Sequence, residues 1–183
     1  MDKDVLQILT EDHAVLDWLA QRLQAVRPGR GRAVLFNEFA RALGAHQTVI
    51  DKTVLPALKV CGWHGVTSDL LTGHMALKRL LAEALTLERD PSRFDEVVGR
   101  LVGGATRQCA LERDKLFAVL LECLDESQRW SMALEAEQHL TRLLGETPTV
   151  HEDAEFGADA EALLEEAYVV LGSLPSTARP AHH

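Results

Sequence analysis

Residues 4–26 read DVLQILTEDHAVLDWLAQRLQAV, and this stretch decides the fold class. Val5, Ile8, Leu9, Leu16 and Leu19 recur at the spacing that puts apolar side chains on one face of a helix. The run carries no alternating β-branched pattern, and Leu, Ala, Glu and Arg, all good helix formers, dominate the whole chain. Arg27-Pro28-Gly29-Arg30-Gly31 then breaks the pattern.

Working outward, the same spacing predicts a second helix from about 33 to about 59, carrying Phe36, Phe39, Leu43, Ile50, Val54 and Leu58. Pro56 is expected to shorten or bend its last turn. Gly62-Trp63-His64-Gly65 marks a turn, after which Ser68 or Thr67 caps a third helix through Leu70, Leu71, Leu77, Leu80, Leu81 and Leu85. Asp90-Pro91-Ser92 ends it, with Pro91 suited to the first turn of a fourth helix that runs from about 93 to about 124. Gly103-Gly104 in its middle costs roughly 1 kcal/mol per glycine against alanine, so the pair calls for a packing reason or a kink. Four long helices joined by short turns predict an all-α fold, an up-down-up-down four-helix bundle over residues 1–124. Two further amphipathic stretches, about 127–144 and 158–171, read as a C-terminal helical appendage (125–172) that caps the bundle or makes a homodimer contact. Residues 173–183 read as a disordered tail. The terminal His182-His183 reads as a tag remnant.

The totals bound what such a bundle can do. Apolar residues make up 46% of 183, enough for a sizeable core. Acids outnumber bases 28 to 19 for a net charge of -9, which argues against nucleic-acid or anionic-membrane partners. No apolar run is long enough to span a bilayer, and Met1-Asp2-Lys3-Asp4 lacks the features of a signal peptide, so a cytoplasmic location is expected. Cys61, Cys109 and Cys123 have no framework spacing and read as reduced thiols in or near the core.

His13, His46 and His74 each fall inside a different predicted helix. His13 lies sixteen residues before Gly29 in the first turn and His46 seventeen after it, so the two should be level. His74 lies sixteen before Asp90 and Gln108 eighteen after it, which sets a second level pair. Residues at i and i+4 differ by about 40° around a helix axis. Gln108 and Glu112 meet that condition, and Ala105, Leu116 and Leu120 on the same side draw Glu112 inward. His46 and Ile50 meet it too, but Ile50 has no ligand atom. Asp51, five residues on and about 140° round, needs a helix bulge to point inward.

The segments Ile8-Leu9-Thr10-Glu11-Asp12-His13, Ala45-His46 with Val54-Leu55-Pro56, Gly73-His74, and Gln108 to Glu112 with Leu116-Phe117 resemble the hemerythrin-like (HHE cation-binding) family over roughly the first 124 residues. The resemblance implies a non-haem di-iron centre held by one His on helix one, His-x-x-x-Glu on helix two, one His on helix three and His-x-x-x-Glu on helix four. This sequence departs from that pattern twice, with Ile50 in place of a Glu and Gln108 in place of a His. The resemblance therefore implies one half-site keeping His13, His46 and Glu112, and another reduced to His74. Two His and a carboxylate suit one divalent ion, non-haem iron or else Zn or Mn, with positions open to a diatomic or peroxide ligand. Gln108 suits hydrogen bonding to bound water or to His74, and Asp51 is a candidate replacement ligand.

Other groups read more plainly. Cys61 and His64 flank Trp63 in a turn, where a buried thiol is favoured over a small metal site. Cys109 reads as a core or interface residue, and His139 and His151 as exposed. The expected function is a hemerythrin-like metal protein that handles or senses iron, dioxygen, peroxide or nitric oxide. Its competitors are a metalloenzyme with an open coordination position, a metal-free helical scaffold, and an apolar pocket where the second metal would lie.

Overall fold

The computed structural model describes residues 3–27, 30–87 and 90–145. All the regular structure among them is helical, with no strand. Helix α1 is Val5–Ala25. Its Asp4 carboxylate accepts from the Leu6 and Gln7 N–H groups while the Gln7 side chain accepts from the Asp4 N–H, a reciprocal cap that starts the helix at the break in polarity. Helix α2 runs from Arg30–Val49 through a π-helical turn, Ile50–Val54, into Leu55–Val60. The Leu55 N–H bonds to the Ile50 carbonyl, one residue further back than in an α-helix. Pro56 follows at the point where the regular ladder is already interrupted, and the helix continues past it to Val60.

Gly62, at φ 83°, makes the turn into α3, His64–Thr86. This helix starts before the expected Thr67 or Ser68 cap, because Thr67 is buried within it and its hydroxyl donates to the Trp63 carbonyl. Helix α4 comprises Pro91–Leu111, a second π-turn Glu112–Leu116, and Phe117–Cys123. Asp90 caps it through the Arg93 N–H, with Pro91 in the first turn. Helix α5 is Glu126–Leu144, begun by a reciprocal cap between Asp125 and Gln128.

Helix α1 packs on α2 and α4, α3 packs on α4, and α5 lies against α1 and α2. Helix α5 adds Met132, Ala133 and Ala136 to the buried interior. The stretch 158–171 and the tail from 173 lie outside the described residues. Gly104 has a packing reason, since a Cβ there would come within 2.8 Å of Leu77 Cδ2 on α3. No helix among the described residues is long and apolar enough to cross a membrane.

The buried apolar side chains of the described residues form two clusters. One gathers Ile8, Leu9, Val49, Ile50, Leu70 and Leu116, and the other Leu16, Leu19, Phe39, Leu43, Leu77 and Leu101. Each fully buried side chain of this size stabilises the fold by about 1.5–3 kcal/mol. Along α1 the order is Leu9, His13, Leu16, along α2 Leu43, His46, Val49, and along α3 Leu70, His74, Leu77. Every one of these helices thus crosses a polar layer held between the two apolar ones.

The cysteines differ from the sequence expectation. Cys61 and Cys123 are disulfide-bonded, their Cα atoms 6.1 Å apart, because the ends of α2 and α4 meet at the same end of the molecule. Only packing brings them together, and Cys61 is exposed rather than a buried thiol or a partner of His64. Such a bond persists in oxidising surroundings and is transient in reducing ones. Cys109 remains a buried free thiol.

Candidate metal centre

The polar layer is built on Glu112, which is completely buried at the start of the π-turn of α4. Its Oε2 lies 2.8 Å from His13 Nε2 and 2.9 Å from His46 Nε2. Its Oε1 lies 3.2 Å from His74 Nε2 and accepts from Gln108 Nε2 at 3.0 Å. The residues that turn distances put level thus pair on the carboxylate: His13 and His46 share one oxygen, His74 and Gln108 the other. His13 and His46 have ring centroids 4.9 Å apart, and the His13 ring stacks on Phe117. All five side chains are at least nine-tenths buried.

Asp51 does not reach Glu112. The π-turn that begins at Ile50 carries an extra residue, so Asp51 is brought round toward α3. There its Oδ1 lies 2.8 Å from His74 Nδ1, and its Oδ2 accepts from Lys78 Nζ at 2.6 Å. Asp51 therefore orients His74 from behind. Ile50 is fully buried in the apolar cluster. Gln108 turns its amide nitrogen to Glu112, and its oxygen lies where a Cβ on Gly73 would stand, which accounts for glycine there.

Burial alone would push Glu112 toward the neutral acid, but the His46 charge and hydrogen bonds from His13, His46 and His74 outweigh it and hold the carboxyl well below its usual range. Burial works against a charged His46 as well, yet Glu112 and Asp12 raise it to about 9. His74 is raised and Asp51 lowered against their burial, chiefly by the hydrogen bond between them. The ion network therefore carries its own pH dependence. The His46 contribution is complete below its ordinary 6.5 and is lost as pH rises through about 9. The Glu112 contribution is complete above its ordinary 4.5 and is lost only in acid. Urea unfolding of chelator-treated protein should accordingly show a midpoint that falls between pH 6.5 and 9. A flat profile over that range would contradict the His46–Glu112 pairing.

No protein-family model, curated protein or solved structure matches the chain.

Two residues of the centre carried no sequence signal. Asp12 Oδ2 stands 3.5 Å from His46 Nδ1, an ion-pair distance too long for a good hydrogen bond. Its place beside His13 puts it about 100° round α1 from that residue. Cys109 lies the same angle round α4 from Gln108. That rotation turns it toward His13 and His46, and one ligand atom from each of the three lies within 4.8 Å of the others.

These side chains carry donor atoms of the kind that hold a metal ion. Imidazole Nε2 atoms converging on a carboxylate are ordinary ligand atoms, and a second carboxylate behind the ring is how metal-binding histidines are oriented. Asp12 stands so behind His46, and Asp51 behind His74.

Proposed function

We propose that this chain is a hemerythrin-like, non-haem metal-binding protein with an up-down-up-down four-helix arrangement and a single divalent ion on His13, His46 and Glu112. Iron is the first choice of metal, with zinc or manganese as alternatives. The observation that carries the reading is the convergence of three buried Nε2 atoms on one buried carboxylate. The order of these residues along the helices supports the family resemblance. When bound, such an ion supplies a coordination position for dioxygen, peroxide or nitric oxide.

The chain's own residues do the rest. Asp51, itself tied to Lys78, holds His74, while Asp12 lends His46 a nearby negative charge at 3.5 Å. The Nε2 protons that now face Glu112 leave when the ion enters, so affinity should climb with pH. Gln108 keeps one donor on Glu112 throughout.

Elemental analysis of protein lacking His182 and His183 tests the reading. About one divalent ion per chain is expected, and none in His46→Ala. A folded chain that takes up no ion would overturn it. That outcome would favour a metal-free scaffold, a reading with its own support, since His13, His46, His74 and Gln108 already supply a donor for every lone pair of Glu112.

A further inference from the structure

The geometry points to Cys109 as a third ligand beside His13 and His46, making the centre thiolate-bound and selective for zinc over manganese. This rests on the metal-binding reading above and narrows it. A carboxylate and two imidazoles hold manganese, iron or zinc with little discrimination, whereas a soft sulfur ligand favours zinc.

The placement is specific. Cys109, His13 and His46 come from α4, α1 and α2, and each is no more than 2% exposed. One donor atom from each lies within 4.8 Å of the others. The His13 ring keeps a buried Nδ1 with no hydrogen-bond partner among the described residues, and His46 Nδ1 has the Asp12 carboxylate only at an ion-pair distance of 3.5 Å, so the imidazoles are not fully satisfied by Glu112 alone. A dication would hold Cys109 as the thiolate, because a coordinating thiol is deprotonated by the metal itself. The S–H bond breaks, a metal–sulfur bond forms and the proton leaves to solvent.

The test loads the metal-free full chain with Co(II) and records its absorption, using His46→Ala as the baseline for ions held elsewhere, the terminal histidines included. A sulfur-to-cobalt charge-transfer band should appear at one equivalent and vanish in Cys109→Ser. The variant should also bind Zn(II) more weakly, by at least the roughly 10–100-fold that losing an outer hydrogen-bond partner costs, with little change for Mn(II). X-ray absorption on the zinc-loaded wild type needs no variant, and should show one sulfur at about 2.3 Å beside imidazole nitrogens. A stoichiometric ion with only nitrogen and oxygen neighbours, and no charge-transfer band, would overturn the role of Cys109 and leave the metal-binding reading standing. Failure to take up any ion would overturn both.

Discussion

Glu112→Ala should destabilise the metal-free chain by roughly 3–5 kcal/mol and abolish stoichiometric metal uptake. The carboxylate is fully buried and is the common partner of His13, His46, His74 and Gln108. Removing it strands three imidazoles and an amide in a layer closed above and below by apolar clusters. His46 then has only Asp12, at 3.5 Å, to balance its charge. Alanine also leaves a cavity, which adds to the loss. For a chain of this size each kcal/mol moves the melting temperature by roughly 2–4 °C, so a drop of roughly 10 °C is expected by calorimetry. Glu112→Gln keeps the shape but offers one acceptor oxygen where the native side chain offers two, so an intermediate loss should follow. A melting temperature unchanged in Glu112→Ala would mean that the network does not form in solution.

The second large effect concerns the two ends of the long helices. In Cys61→Ser/Cys123→Ser the stability should fall by about 4 kcal/mol, because the bond closes a loop whose ends are 62 residues apart and so restricts the unfolded chain. A reductant should lower the melting temperature of the wild type by a similar amount and leave the double variant unaffected. Neither cysteine is a hydrogen-bond partner of the five side chains of the polar layer, so metal uptake per folded chain should be retained. Equal melting temperatures with and without reductant would show that the two thiols are not joined in the folded protein. Since total stabilities run to about 5–15 kcal/mol, a bond of this worth is a large share of the whole.

Much of this molecule was legible in its sequence. The helices were readable because apolar spacing, Asp caps, Pro91 and Gly62 act within a turn or two of where they stand. The buried set was readable as well, because a helix presents positions at i, i+3 and i+4 to one side, and His13, His46, His74 and Glu112 fall among the apolar residues of that side. What the sequence left open depends on contacts between helices. The two π-turns have no local marker, and the first of them sets Asp51 against His74 rather than toward Glu112. Asp12 faces His46, and Cys109 faces His13 and His46, because of how α1, α2 and α4 rotate about their axes on packing. Cys61 meets Cys123 because two helices end together, although 62 positions separate the residues along the chain. Local chemistry therefore determined the helices and which residues turn inward, while the rotation and length of packed helices decided which of those residues touch.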